Sequence, residues 1–260
     1  MKKLVTISKG KLVRTKKLNE TIIIQHKLLE QVSMVKDRVL SVVGHDMRSP
    51  LNMLSSLSQL LKEGSIPPEK MPLYMSQLES TLSHTSSVMD NLLYWAASQM
   101  QGYNPVIGLV QLNPVVEDII QLLKGNAEKK HIQISNNIPE GTVASCDPDM
   151  IALIIRNLVS NSIKFTSSHG NININALKEN GFIHVMVIDN GVGMTSKSME
   201  SFNKNTFGTT ESTPGTASEK GTGIGLLLCK TFIQLLNGRI TVSKGTNGKG
   251  CKFEIILPHE

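Results

Sequence analysis

The chain has 260 residues, of which 40% are hydrophobic, 4% aromatic and 18% charged, and its formal net charge is +6. This length and apolar content predict two domains, each with its own core. The sequence contains no run of about 18 apolar residues, so no membrane-spanning helix is predicted. Cys146, Cys229 and Cys251 are widely spaced and form no Cys-x-x-Cys pair. This pattern argues against a disulfide framework or a zinc site and indicates a reducing, cytoplasmic setting.

The positive charge is concentrated at the N-terminus. Residues 1–30 contain eight Lys or Arg and two Asp or Glu, and the rest of the chain is balanced. Such a block is typical of a signalling or linker helix with a solvated face, or of the cytoplasmic flank of a membrane helix or sensor domain upstream of residue 1. The aromatic and recognition-helix patterns of nucleic-acid-binding proteins are missing, so no nucleic acid is expected as a partner.

Residues 31–103 are predicted to form a helical hairpin. Apolar residues at heptad spacing lead up to His45, and the first helix is expected to end near Glu63, where Gly64-Ser65-Ile66-Pro67-Pro68 interrupts the pattern. A second apolar pattern runs from about Pro68 to Gly102. Two hairpins would bury their apolar faces together as a four-helix bundle, so a homodimer is predicted.

An α/β domain is predicted over residues 112–260, after a linker at 104–111. Helices are expected from Asn113 to about Lys130, from Pro148 through Asn161, and from Gly225 to Leu236. Strands are expected at 132–136, 171–177, 183–189, 239–244 and 251–257. Residues 196–220 are rich in Ser, Thr, Gly and Asn, which predicts a mobile lid.

The segment from Gly44 to Asn52 places a histidine beside a carboxylate on a predicted helix. A neutral imidazole nitrogen of His45 can attack a phosphorus atom while Asp46 accepts the proton on the other nitrogen and fixes the tautomer. An isolated His-Asp pair would more often be an ordinary surface feature, so its meaning depends on the motifs in the second half of the chain. Arg48 either contacts phosphate or lies on the bundle surface.

Three segments of the second domain carry residue types that bind nucleotides. Asn157 and Asn161 are four residues apart and therefore share one face of their helix. Asp189 ends a run of apolar strand residues, and Gly191 and Gly193 allow the backbone to turn tightly beside it. A glycine-rich segment precedes the last helix, where backbone amides can hold phosphate oxygens: Gly221, Thr222, Gly223, Ile224, Gly225 and Leu226.

In this order the four segments resemble a sensor histidine kinase of two-component signalling, across residues 30–258. The resemblance implies an α+β chain, with a helical hairpin that dimerises into a four-helix bundle, followed by an α/β-sandwich ATP-binding domain. It implies ATP and Mg²⁺ as ligands, with Asn161 on Mg²⁺ and Asp189 on the adenine amino group. Lys164 is then a phosphate contact, and Phe165 lines the base pocket. Asn157 stands where gyrase-type ATPases have a glutamate, which implies that ATP is held for transfer rather than hydrolysed.

The implied activity is autophosphorylation of His45, with Asp46 as base, and transfer of the phosphoryl group to an aspartate of a separate response regulator. The alternative is a nucleotide-binding scaffold or phosphatase module in which His45 is not phosphorylated. Ser49 is the phosphatase candidate, because relatives with that activity carry Thr or Asn four positions after the histidine. Cys251 stands where the family usually has Thr or Ser, which predicts weaker support for the base pocket and modest ATP affinity.

Overall fold

The computed structural model describes residues 52–64, 66–79, 81–82, 85–86, 89, 105–204, 215–216 and 225–259. The chain divides into two compact units, residues 1–89 and 90–260. The heptads of the first predicted helix lie outside the described residues. Four predicted site residues at the phosphoacceptor and four in the glycine-rich segment lie outside them as well: His45, Asp46, Arg48, Ser49, Gly221, Thr222, Gly223 and Ile224.

The described part of the first unit contains two helical segments, α1 at residues 52–62 and α2 at residues 71–79. A turn follows α1, in which Gly64 has a φ of 60°, and a short 3₁₀ helix at Pro68–Lys70 leads into α2. The break therefore falls where the Pro- and Gly-rich sequence predicted it. Residues 81–82, 85–86 and 89 are helical as well. The hydroxyl of Thr81 donates to the sulfur of Met53 at 3.2 Å, so the helical residues beyond 79 also contact α1.

A five-stranded sheet forms the framework of the second unit, in the order β2-β4-β5-β7-β6. Strands β2 and β4 are parallel and the other pairs are antiparallel. Each of these strands agrees with the sequence prediction to within two residues at either end. They are β2 at Gln133–Asn137, β4 at Asn171–Glu179, β5 at Phe182–Asp189, β6 at Arg239–Lys244 and β7 at Cys251–Pro258.

A second, two-stranded antiparallel sheet pairs β1 at Gly108–Gln111 with β3 at Val143–Cys146. Neither strand has a local sequence signal, and Gly108–Gln111 falls within the predicted linker. The pairing still buries apolar surface, because the side chains of Ala144 and Cys146 are fully buried.

Three helices pack next to one another and against the large sheet: α3 at Leu112–Lys129, α4 at Pro148–Phe165 and α6 at Gly225–Leu235. Helix α4 is central and contacts both of the others. It begins as predicted at Asp147-Pro148, where the Asp147 carboxylate accepts hydrogen bonds from the backbone N–H groups of Asp149 and Met150. The α+β class inferred from the sequence is confirmed for this unit.

The expectation of a mobile lid is wrong for its first part. Residues Ser196–Asn203 form helix α5, which is capped by the hydroxyl of Thr195. Met199 and Phe202 are buried, and the Phe202 ring packs edge-on against Phe253 at 5.8 Å between ring centroids. Met199 and Phe202 are three residues apart and therefore share one face of the helix, which they hold against the domain. The polar composition of the segment does not reveal this apolar face.

Candidate nucleotide-binding site

The site is built around Asp189, the last residue of β5, whose side chain is only 5% exposed. One carboxylate oxygen, Oδ1, accepts hydrogen bonds from the backbone N–H of Gly191 at 3.0 Å and of Cys251 at 3.1 Å. The other oxygen, Oδ2, accepts a longer hydrogen bond of 3.3 Å from the hydroxyl of Ser162 on α4. Two loops and a helix thus fix the carboxylate. Its Oδ2 atom has the capacity to accept a hydrogen bond from a further donor.

Burial raises the pKa of Asp189, and the hydrogen bonds from Gly191, Cys251 and Ser162 act in the opposite direction. A carboxylate that is removed from water in this way has a strong preference for a partner that donates a hydrogen bond to it. The amino group of a planar heterocycle is such a donor.

Glycine is required where the loops close around Asp189. A Cβ atom at Gly191 would collide with the backbone oxygen of Phe165, and one at Gly250 would collide with the backbone oxygen of Asp189. Gly250 and Gly193 also have positive φ angles of 67° and 75°. The backbone N–H of Val192 donates to the oxygen of Phe165 at 3.0 Å, so the loop after β5 is joined directly to the end of α4.

Helix α4 carries the predicted polar residues. The Asn157 amide donates to the backbone oxygen of Leu153 at 3.1 Å. A Cβ atom at Gly225 would lie 2.9 Å from the Asn157 side-chain oxygen, so Asn157 abuts the first residue of α6. Asn161 is half-buried one turn further along α4. The structure therefore brings α4 together with the end of the glycine-rich segment, of which Gly225 and Leu226 are described.

The end of α4 completes the site. Lys164 holds its ammonium 4.8 Å from the centroid of the Phe165 ring, so the predicted phosphate and base contacts are neighbours. Thr166 is fully buried, and its hydroxyl has no hydrogen-bond partner within the described residues. A buried hydroxyl without a partner is uncommon in a folded protein, and here it lies next to the proposed base contact Phe165.

Some contributors were not predicted. Ser162 lies within a predicted motif without a role of its own, although a small polar residue on the buried face of α4 is a signal that the sequence contains. The backbone N–H of Cys251 supports Asp189, whereas the sequence suggested a role for the side chain. Burial raises the pKa of the Cys251 thiol to about 12, so that side chain is a neutral packing group. A neutral thiol is still a weaker donor than the hydroxyl of Thr or Ser, so the modest ATP affinity expected from Cys251 stays a prediction.

The side chain of Asn161 is the predicted metal ligand of this site. The described residues contain no group of three or more His, Cys, Asp or Glu side chains that could hold a metal ion. The amide oxygen of Asn161 is a suitable ligand for a hard cation, but a complete shell would need further oxygen atoms from phosphates and water. This donor set fits Mg²⁺ bound together with a nucleotide.

Residues 146–260 match the family model for histidine kinase-, DNA gyrase B- and HSP90-like ATPases. Over 243 residues the chain is 28% identical to the adaptive-response sensory kinase SasA of Synechocystis, covering 90% of this chain and 62% of that protein. It is 25% identical to the histidine protein kinase DivJ of Caulobacter vibrioides, covering 88% of this chain and 38% of that protein. Over about nine tenths of its length the chain is thus similar to proteins named as sensory or histidine kinases.

Solved histidine kinases share the fold. The histidine kinase AdeS of Acinetobacter baumannii superposes with a TM-score of 0.61 at 18% identity, covering 83% of this chain and 98% of that one. Full-length ShkA, solved in complex with AMPPNP, superposes with a TM-score of 0.57 at 21% identity, covering 85% of this chain and 45% of that one. The chain spans less than two thirds of the length of the SasA and DivJ proteins. None of its described helices is long and apolar enough to cross a membrane.

Proposed function

We propose that this chain is an ATP-dependent protein-histidine kinase that phosphorylates itself on His45. The observation that carries the proposal is the buried Asp189 carboxylate, which is fixed by Gly191, Cys251 and Ser162 in the part of the chain that matches the ATPase family. The His-Asp segment supplies the acceptor in the order found in histidine kinases. Homology to named histidine kinases over about nine tenths of the chain supports the same activity.

Asp189 accepts the hydrogen bond of the adenine amino group, which favours ATP over GTP, because guanine presents an oxygen at the corresponding position. Phe165 lines the base, and Lys164 contacts phosphate. The side-chain oxygen of Asn161 would hold Mg²⁺, which would neutralise charge on the phosphates. Asn157 carries an amide that cannot act as a general base toward water, so ATP is kept for transfer.

In the transfer step a neutral imidazole nitrogen of His45 attacks the γ-phosphorus of ATP. The bond between that phosphorus and the bridging oxygen breaks, and ADP leaves with the electron pair. As the new phosphorus–nitrogen bond forms, Asp46 acts as the base and takes the proton from the other ring nitrogen, which leaves a neutral phosphohistidine. The phosphoryl group then passes to an aspartate of a separate response regulator. Ser49 orients water if the chain also acts as a phosphatase, and Arg48 stabilises phosphate charge.

We also propose that the active species is a homodimer formed through the helical hairpin. In the first unit several large apolar side chains are exposed, which is unfavourable for an isolated hairpin in water. They are Leu61, Leu73, Met75, Leu82 and Met89. A second hairpin would cover them in a four-helix bundle. A cytoplasmic site of action agrees with ATP as substrate and with the three buried free thiols.

The test is incubation of the chain with γ-labelled ATP and Mg²⁺, comparing the wild type with His45→Ala and with His84→Ala as a matched control. We expect an acid-labile, alkali-stable label on the wild type and on His84→Ala, and no label on His45→Ala. If nucleotide binds but no protein is labelled, the kinase assignment falls and the nucleotide-binding scaffold takes its place. Labelling of His45→Ala would show that His45 is not the residue that accepts the phosphoryl group.

A further inference from the structure

Lys130 makes contacts that neither the motifs nor the fold assignment explain. It follows α3, and its ammonium reaches the C-terminal end of α4. There its Nζ donates hydrogen bonds to the backbone oxygens of Ile163 at 2.8 Å and Lys164 at 3.0 Å. A cation at this point also lies at the negative end of the α4 dipole, where a positive charge is stabilising.

The same ammonium holds a residue far along the chain. Lys130 Nζ donates to the hydroxyl of Thr216 at 2.6 Å. The Thr216 hydroxyl lies 2.9 Å from the backbone oxygen of Thr166, to which it can donate, and the Thr216 backbone N–H donates to the oxygen of Lys164 at 3.0 Å. Thr216 is therefore bound to the end of α4 both directly and through Lys130. We call this set of contacts the Lys130 clasp.

The position of Lys130 is itself fixed by two neighbouring turns. The backbone N–H of His169, in the turn after α4, donates to the backbone oxygen of Lys130 at 3.0 Å. The rings of His131 and His169 stack with their centroids 5.0 Å apart and their planes 10° apart. Both histidines have positive φ angles, 52° and 64°, which are uncommon for residues other than glycine and indicate that the surrounding contacts hold these turns in place.

We propose that Lys130 is a positioning residue for nucleotide binding, acting through the end of α4 and through Thr216. The backbone oxygens that it binds belong to the turn that carries Lys164 and Phe165, the proposed phosphate and base contacts. Thr216 precedes Gly221, the start of the glycine-rich segment, by five residues. The clasp thus ties together two parts of the chain that must both reach one ligand. The proposal rests on the proposed ATP-binding function.

The clasp uses charge-assisted hydrogen bonds, which are stronger than neutral ones. Replacing Lys130 by Met keeps the aliphatic stem but removes every donor. Replacing it by Arg keeps the charge and donors, so partial rescue is expected. Thr216→Val removes only the hydroxyl. Lys129→Met is the matched control, because Lys129 is the exposed neighbour of Lys130 on the same turn.

The first readout needs no nucleotide. In the full 260-residue chain, hydrogen exchange at the Thr216 amide is measured for the wild type and the four variants. We expect protection in the wild type and in Lys129→Met, and faster exchange in Lys130→Met and Thr216→Val. Unchanged exchange in both of the latter variants overturns the clasp. If Lys130→Met does not fold, Thr216→Val carries the same comparison.

The second readout is the dissociation constant for AMPPNP with Mg²⁺, measured by calorimetry on the same proteins. We expect a roughly tenfold larger dissociation constant in Lys130→Met. The affinity should be partly restored in Lys130→Arg and unchanged in Lys129→Met. Faster exchange with unchanged affinity overturns the positioning role. If the wild type binds no nucleotide, the ATP-binding function and the positioning role fall together, while the exchange data still decide whether the clasp exists.

Discussion

The burial of Asp189 is unfavourable by itself, and the proposed contact with adenine gives it a role. A carboxylate that is 5% exposed loses most of its hydration, and two backbone donors with one hydroxyl compensate for this only in part, so its pKa is raised. Because the folded state then holds its proton more tightly than the unfolded state, the contribution of this group to stability is present at low pH and is lost as the pH rises through the folded-state pKa.

The variant Asp189→Asn should separate the effect of the buried charge on stability from its effect on ATP binding. The amide oxygen can still accept from Gly191 and Cys251, while no charge is buried. The stability of the variant relative to the wild type should therefore increase from about pH 4 to about pH 7, as measured by thermal unfolding at several pH values. The amide nitrogen would then face the adenine amino group, donor against donor, so ATP affinity should fall by about tenfold to a hundredfold.

Ser162→Ala is the control for that substitution, since it removes only the 3.3 Å hydrogen bond to Asp189. It should weaken ATP binding less than Asp189→Asn does. An Asp189→Asn protein that binds ATP as tightly as the wild type would contradict the assignment of this carboxylate to adenine.

Two glycines of one loop provide a test of the close packing behind Asp189. Gly248 and Gly250 both have positive φ angles, 74° and 67°, but a Cβ atom at Gly248 would meet nothing within 4 Å, whereas one at Gly250 would collide with the backbone of Asp189. Both alanine variants carry the cost of the positive φ, which is about 1 kcal/mol. Gly250→Ala should be less stable than Gly248→Ala by about a further 2 kcal/mol in denaturant unfolding, and it should bind ATP more weakly. Equal free energies of unfolding for Gly248→Ala and Gly250→Ala would show that the loop can shift away from Asp189 without a measurable cost.

At the scale of elements, strand β6 lies at the edge of the large sheet and would expose unpaired backbone groups there. The side chain of Asn203, at the end of α5, takes the place of a further strand. Its amide donates to the backbone oxygen of Val242 at 2.8 Å, and its oxygen accepts from the backbone N–H of Val242 at 2.9 Å. Helix α5 is thereby joined to the sheet through one residue as well as through its buried Met199 and Phe202.

Asn203→Ala should cost about 2 kcal/mol of unfolding free energy, because both backbone groups of Val242 lose their partners in a partly buried position. Chemical denaturation measures the loss. Lys204→Ala is the neighbouring control: its ion pair with Glu200 joins two exposed side chains and should leave the midpoint unchanged. A similar midpoint for Asn203→Ala and the wild type would mean that water replaces the side chain without cost.

The elements predicted from sequence are those whose signals are local. Helix α4 has an Asp-Pro start and a continuous apolar face, and β5 and β7 have alternating or continuous apolar residues next to glycine-rich turns. Strands β1 and β3 have four residues each and exist because they pair with one another across about 30 residues, which no local pattern encodes. Helix α5 was missed because polar composition outweighed its two buried anchors.

The candidate site divides in the same way. Asp189, Asn157 and Asn161 are candidates from sequence because residue type and spacing are informative by themselves. The support from the backbone of Cys251 was missed, since it depends on β7 lying beside β5 and involves no particular side chain. Lys130 and Thr216 are 86 residues apart, and they meet because each is hydrogen-bonded to the end of α4. Backbone donors and distant partners are properties of the fold rather than of motifs.

For the whole molecule, the exposed apolar residues of the first unit predict self-association. Leu73 is 60% exposed in α2, and Leu122 is 66% exposed in α3 of the second unit. If the hairpin is the dimer interface, Leu73→Glu places a charge in a buried contact, where it cannot be solvated, and dimerisation should weaken by at least about tenfold. Leu122→Glu changes a residue of similar exposure outside the hairpin and should leave the dimer intact.

Sedimentation velocity over a range of protein concentrations distinguishes a 28.5 kDa monomer from a species of twice that mass. We expect the wild type and Leu122→Glu to sediment as dimers at micromolar concentration, and Leu73→Glu to shift toward monomer. AMPPNP binding should be retained in all three proteins, because the Asp189 site is built entirely from residues of the second unit. A wild type that remains monomeric at every concentration would contradict the four-helix bundle, whereas loss of dimer in Leu122→Glu alone would move the interface to the second unit.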